Sequence, residues 1–490
     1  MPLTDALTKH LKTPDLIRAA GYIGGEWIET ADSGETFEVT NPSTGEVLAV
    51  LPDMGVAETR RAIAAADAAQ AAWAKKTGKA RGQILRKLFD LMMAHQDDLG
   101  AIMTAEQGKP LAEAKGEIAY GASYVEWFGE EAKRVYGDTI PGHQEDKRII
   151  VIKQPVGVVA TITPWNFPNS MLARKMAPAL AAGCAVVSKP ASETPLSAIA
   201  LARLCEMAGL PAGLFNLIVS KDAAAIGQEF CSNDIVKKLS FTGSTGVGKI
   251  LMRQAADQIK RLGLELGGNA PFIVFDDADL DAAVEGALIS KYRNNGQTCV
   301  CANRLYVQAG VYDAFAQKLV AATKKLSVGD GFAAGVTTGP LIDRKAIDKV
   351  ERHIADATAK GAKVLLGGKA SGGLFFEPTV LGGATADMVL AREETFGPVA
   401  PLFRFETVDE VIELANATEF GLASYFYAKD LSRVFKVAEG LDYGMVGINT
   451  GLISTEVAPF GGVKQSGHGR EGSKYGIEDY LDIKYLCLSV

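Results

Sequence analysis

Alternation of short apolar strands with amphipathic helices predicts an α/β chain built on doubly wound parallel sheets. Three observations carry the prediction. Strand-like and helix-like stretches take turns between residues 149 and 259, with short connections. A second alternating block runs from 265 to about 460, and a glycine-rich strand-to-helix turn lies at 241–249 in the first.

Ahead of the first block, Ala-rich amphipathic runs over 59–76 and 81–107 read as a helical layer. Residues 149–162 are β-rich and apolar, and 185–189 form a short buried strand. Thr194 followed by Pro195 reads as an N-cap with proline at N1, opening a helix to Met207 that stops at Gly209. A strand follows at 215–219, a helix at 223–230, a strand at 236–241 and a helix at 246–259. In the second block, strands are expected at 272–275 and 304–307, around a helix at 280–293. The tail 480–488 alternates as a strand does, and 137–151 reads as half of a projecting hairpin; both are material for pairing with another subunit.

With 490 residues, 48% hydrophobic and 22% charged, the chain has the composition of a soluble globular protein and the length for about two to four domains. A net charge of −7 argues against a nucleic-acid polyanion as partner. Six scattered cysteines are too few for a disulfide scaffold and suit a reducing cytoplasm. The five histidines show no pair at metal-ligand spacing, so no metal is expected. The first twenty residues lack the apolar core of a signal peptide, and the longest uncharged stretch, 154–173, is broken by prolines, so no membrane span is expected either.

The turn Phe241-Thr-Gly-Ser-Thr-Gly-Val-Gly-Lys249 nearly spells a nucleoside-triphosphate loop, but Ile250 stands where a magnesium-binding Ser or Thr belongs. Its backbone N–H groups still suit a phosphate at a helix start. Cys299 lies in a small polar loop with Gly296, and Glu265 precedes two glycines, a pairing of thiol and proton-moving carboxylate that suits covalent chemistry at a carbonyl.

These segments stand in a recognisable order. Thr163-Pro-Trp-Asn-Phe-Pro168, Lys189-Pro190, Phe241-Thr-Gly-Ser-Thr-Gly246, Glu265-Leu-Gly-Gly268, Gly296-Gln-Thr-Cys299, Glu394-Thr-Phe-Gly-Pro398 and Pro459-Phe-Gly-Gly-Val-Lys464 resemble the aldehyde dehydrogenase superfamily over nearly the whole chain. Residues 296–304, with a second cysteine, and 451–454 most resemble its succinate-semialdehyde members.

The resemblance implies a Rossmann-like cofactor-binding domain (1–132 and 153–264), an α/β catalytic domain (265–465) and a small projecting β element for oligomerisation (133–152 and 473–490). It implies Cys299 as nucleophile, Glu265 as general base and Asn166 as oxyanion donor. A thiol near its intrinsic pKa of roughly 8.5 would already be a competent nucleophile. Lys189 and Glu394 would hold the two riboses and Ser244 would sit near the pyrophosphate, with Trp165, Gly243 and Phe396 completing the implied cofactor set. Where many NAD-using relatives carry a glutamate three residues after the motif lysine, this chain has Ser192, which leaves room for a 2′-phosphate; NADP is expected, with NAD possible.

Arg174, Arg293 and Ser454 match positions that bind a substrate carboxylate. The expected substrate is succinate semialdehyde, with glutarate semialdehyde or another aldehyde as alternatives, and a non-catalytic nucleotide-binding or structural protein as the remote one. A homodimer or homotetramer is expected. Cys301, two residues from Cys299, is expected to form a reversible disulfide with it, the loop bending out of an extended conformation to do so.

Overall fold

The computed structural model describes residues 3–490. Its first sheet has eight strands in the spatial order Glu26–Ile28, Gly21–Ile23, Phe215–Leu217, Ala185–Lys189, Val158–Ile162, Val236–Thr242, Arg261–Glu265 and Gly467–His468. The five central strands run parallel, and antiparallel partners close both edges. From Val158–Ile162 the chain winds outward in one direction through two strands, then returns to the other side of that strand for the next two. The order reverses between Val158–Ile162 and Val236–Thr242, where such sheets open a crevice beyond the strand C-termini. The turn beginning at Thr163 and the turn at Gly243 both leave from that crevice.

The second sheet has seven strands: Lys363–Leu366, Thr379–Ala384, Val399–Phe405, Ala302–Gln308, Ala270–Val274, Ala423–Tyr427 and Met445–Ile448. All pair in parallel except Lys363–Leu366 at one edge. Both faces are covered. Phe272, Val274, Leu305 and Val307 enter one core, while Ile273, Tyr306, Phe403 and Phe426 enter the other. That alternation within continuous apolar runs is how a strand buried on both faces reads in sequence.

A third, antiparallel sheet joins Asp138–Ile140, Lys147–Pro155 and Leu481–Ser489, with Leu481 opposite Pro155 and Ser489 opposite Lys147. The tail strand thus pairs within its own chain, leaving its outer edge as the side open to another molecule.

Several boundaries differ from the sequence expectation. The run 81–107 divides at His95 into Gly78–Ala94 and Gln96–Gln107, and a fourth helix, Leu111–Glu131, completes the layer. The helix expected to start at Pro195 begins at Leu196, and Thr194 does not cap it. The buried carboxylate of Glu106 does so instead, accepting the N–H of Leu196 at 2.7 Å and of Ser197 at 2.8 Å. A cap from ninety residues away leaves no local sequence signal. The helix expected over 246–259 stops at Ala255; a 3₁₀ turn follows, and Ile259 has φ 49°.

Candidate active site

The expected catalytic residues come from the turns and strand ends where the two sheets face each other. Asn166 lies in the turn after Val158–Ile162, flanked by Pro164 and Pro168, and Glu265 is the last residue of Arg261–Glu265. The C-terminal edge of the first sheet thus supplies both. Cys299 and Gly268 come from just ahead of two neighbouring strands of the second sheet, Ala302–Gln308 and Ala270–Val274, so the two sheets meet edge to edge at the site.

The Cys299 loop is strongly bent. Asn294, Asn295 and Gly296 have φ of 50°, 57° and 75°, an expensive run of left-handed residues. Buried amides hold it: Gln297 donates to the carbonyls of Asn294 and Pro340 and accepts from Ile342 N. Gly268 shows why two glycines follow Glu265. A Cβ there would lie 2.4 Å from the Cys299 carbonyl oxygen, so only glycine lets the two segments touch.

Asn166 is buried and donates Nδ2–H to the Gln297 carbonyl at 3.0 Å. That uses one amide hydrogen and leaves the other. Glu265 is 3% exposed, and its Oε2 has no hydrogen-bond partner among the described residues. Burial, reinforced by nearby Glu471, holds its carboxyl well above the ordinary range.

Cys299 is half-buried, and desolvation pushes its thiol up to about 12. The expectation of a thiol near its intrinsic value is therefore corrected: at rest this thiol is neutral and requires a base. Glu394 accepts Gly268 N–H at 3.0 Å, and burial raises it to about 7.

A cavity of about 330 Å³ opens at the crevice and reaches Cys299. Trp165, Asn166, Gly243, Ser244, Glu394 and Phe396 all face it, the two aromatic rings meeting edge-on at 5.5 Å. Ser244 also caps the helix Thr245–Ala255, accepting Val247 N–H at 3.4 Å. Lys189 ends its strand nearby and is buried. Ser192 lies outside this cavity, on a neighbouring hollow of about 170 Å³ that it shares with Glu193 and Lys221; its hydroxyl donates to Glu193 at 3.2 Å. Lys221 went unnoticed in the sequence, because nothing near it marks it as facing Ser192.

A second cavity, about 340 Å³, has Arg293, Ser454, Phe167 and Lys109 on its wall. Arg293 and Ser454 come together there as expected. Arg174 does not line that cavity. It is buried, ion-paired with Glu471 alongside Lys175, and lies 4.3 Å over the Phe460 ring, with Nη2 unpartnered among the described residues. Cys301 is fully buried, its sulfur accepting from Lys291 Nζ at 3.2 Å. The expected extended geometry between Cys299 and Cys301 is corrected: Cys301 N–H bonds Thr298 O at 3.1 Å, so the segment is already a tight turn. Sequence reasoning also passed over Gln107, Lys109, Glu113 and Glu117, which reach the site from the helical layer.

Residues 27–486 match the model of the aldehyde dehydrogenase family. The chain belongs to that family. A glutarate-semialdehyde dehydrogenase of Pseudomonas aeruginosa is 68% identical over 98% of this chain and 99% of its own. An NADP(+) succinate-semialdehyde dehydrogenase of Escherichia coli is 64% identical over 98% of this chain and 100% of its own. A 3-sulfolactaldehyde dehydrogenase of Pseudomonas putida is 62% identical, covering 98% and 99%. Among solved structures, a succinate-semialdehyde dehydrogenase from Burkholderia pseudomallei superposes with a TM-score of 0.97 at 64% identity, covering 98% of this chain and 100% of that one. Betaine aldehyde dehydrogenase from Staphylococcus aureus in complex with NAD+ gives 0.95 at 36% identity, covering 99% and 98%. As a family member the protein is an oxidoreductase acting on aldehydes.

Proposed function

We propose that this enzyme oxidises a semialdehyde carrying a distal carboxylate, succinate semialdehyde first, to the dicarboxylic acid, with NADP preferred. The observation that carries the substrate class is Arg293 and Ser454 on one wall of an otherwise largely apolar cavity beside the Cys299 loop. A guanidinium fork and a hydroxyl suit a carboxylate, while Phe167, Ile289 and Leu452 suit the methylenes. The relatives at 62–68% identity are named for glutarate semialdehyde, succinate semialdehyde and 3-sulfolactaldehyde, whose far ends are anionic, whereas the betaine aldehyde enzyme, named for a cationic aldehyde, is only 36% identical.

A second substrate, the five-carbon glutarate semialdehyde, is favoured by the glutarate-semialdehyde dehydrogenase of Pseudomonas aeruginosa at 68% identity. Arg293→Met should raise KM for succinate semialdehyde more than about tenfold and leave butanal nearly untouched. An equal effect on both aldehydes would sink the substrate class. Comparing kcat/KM for the four- and five-carbon acids decides between them.

In chemical terms, Cys299, its thiol proton lost to solvent, attacks the aldehyde carbon as the thiolate. The oxygen becomes an alkoxide that accepts from the free Asn166 amide hydrogen and from the Cys299 N–H. The cavity at the sheet crevice fits a dinucleotide, since Trp165, Gly243, Ser244, Glu394 and Phe396 face it and a Cβ on Gly246 would meet nothing. The chemistry a bound nicotinamide supplies is hydride acceptance, which turns the Cys299 thiohemiacetal into a thioester. Glu265, once ionised, takes the proton from the water that hydrolyses it. Its unpartnered oxygen supports that role.

NADP preference rests on Ser192 with Lys221 across the hollow. Ser192→Glu should reverse it, and a higher kcat/KM with NAD in the parent would contradict it. The cofactor-binding, catalytic and oligomerisation domains proposed from sequence are supported by the first, second and third sheets respectively. A cytoplasmic location is supported by the free cysteines among the described residues.

A further inference from the structure

The link between helices Gln96–Gln107 and Leu111–Glu131 lies beneath the active site without a part in the chemistry above. Lys109 in this link is 2% exposed. Its ammonium pairs with Glu117 Oε2 at 2.5 Å and donates to the backbone carbonyl of Asn166 at 2.7 Å. The other Glu117 oxygen accepts the N–H groups of Asn169 and Ser170, both at 3.1 Å. One ion pair therefore holds the turn at Asn166 itself and where it enters the next helix.

The same carbonyl ties the turn to the Cys299 loop. Asn294 Nδ2 donates to Asn166 O at 3.0 Å and to Gln297 O at 3.2 Å, the acceptor that Asn166 Nδ2 also uses. Gln107 holds Asn294 in turn, through Oδ1 at 2.9 Å.

Lys109 faces the substrate cavity, so it could instead bind the substrate carboxylate. Its donors argue against that. An ammonium has three N–H groups. One goes to Glu117, one to Asn166 O, and the Phe167 ring lies 4.0 Å from Nζ. At most one is left, and it lies beside an aromatic face. Nor does stability explain the pair, because a buried ion pair gains little over apolar groups of the same size. What it adds over an apolar pair is direction.

We propose that Lys109, paired with Glu117, is a positioning residue for the Asn166 amide. It fixes the backbone at Asn166 so that the side chain keeps one hydrogen on the Gln297 carbonyl and aims the other at the substrate oxyanion. This inference rests on the role assigned to Asn166 above.

The test is a double-mutant cycle in the full-length enzyme, with single-turnover cofactor reduction followed for succinate semialdehyde and for butanal. Lys109→Met should slow that step about 10- to 100-fold for both aldehydes, a fraction of what losing an oxyanion donor outright costs. KM for both should move less than about threefold, and on an Asn166→Ala background the same change should cost less than about threefold more. Alkylation of Cys299 by iodoacetamide builds no oxyanion and should keep its parent rate.

Lys109→Met leaves a lone carboxylate buried, so Lys109→Met/Glu117→Gln is made in parallel, and the cycle is read on whichever unfolds at the parent temperature. A cost that is the same on both backgrounds overturns the proposal while leaving the role of Asn166 intact. A loss confined to KM for succinate semialdehyde also overturns it and makes Lys109 a carboxylate ligand. Parallel loss of alkylation points to general collapse of the site and overturns it too. A silent Asn166→Ala removes the oxyanion role itself, a distinct failure.

Discussion

Burial raises both Cys299 and Glu265, the thiol to about 12 and the carboxyl well above its usual range. Without cofactor or substrate, thiolate is scarce. Alkylation of the free enzyme by iodoacetamide should therefore quicken about tenfold per pH unit from 7 to 9.5, the thiolate fraction climbing with pH at every point below the raised pKa. A plateau near 8.5 would show an ordinary thiol. Cys299→Ala should abolish oxidation, while Glu265→Gln should reduce about one equivalent of cofactor and then stall as thioester, because only the second half-reaction must activate water. Steady turnover by Cys299→Ala at a tenth of the parent rate would remove Cys299 from the chemistry. Cys301 must leave Lys291 to reach Cys299. If the two form a protective disulfide, mild peroxide inactivates the parent reversibly by dithiothreitol and Cys301→Ala irreversibly; equal recovery would make Cys301 a packing residue only.

At the scale of elements, the site depends on close backbone approach between Glu265–Gly268 and the Cys299 loop. Gly268→Ala would drive a methyl group onto the Cys299 carbonyl. Backbone, unlike a flexible side chain, cannot swing aside, so the loop must shift. The expected result is about 1–3 kcal/mol less stability by denaturant unfolding, with a fall in kcat of more than about tenfold from the misplaced thiol. A kcat within about twofold of the parent would show that the loop has slack. Most elements were legible because apolar periodicity is a local property: the strand Ala185–Lys189 appears where expected, and boundaries elsewhere moved by a few residues. Glu106 was not legible as a cap, because Thr194 and Pro195 mimic a local one.

For the molecule as a whole, the three-stranded sheet presents Ile483 and Tyr485 at 71% and 67% exposure on the tail strand. Large apolar side chains on a strand at a sheet edge are costly to leave in water and suit a second copy of the chain. Ile483→Asp with Tyr485→Asp should lower the mass measured by light scattering to that of a smaller assembly, while the secondary-structure spectrum stays that of the parent. An unchanged mass would show that this face joins no second copy of the chain.

The order of motifs along the chain already determined the family and the two α/β blocks, and it singled out Cys299, Glu265 and Asn166 as candidates, since those rest on local residue patterns. Tertiary structure alone decided what surrounds them. Arg293 and Ser454 share a cavity wall while Arg174 is engaged by Glu471, a difference set by residues hundreds of positions apart. The raised thiol and carboxyl follow from burial, which no motif encodes. Lys109 meets Asn166 because a helical layer packs beneath the sheet crevice, and contacts at such separations leave no periodicity in the sequence to read.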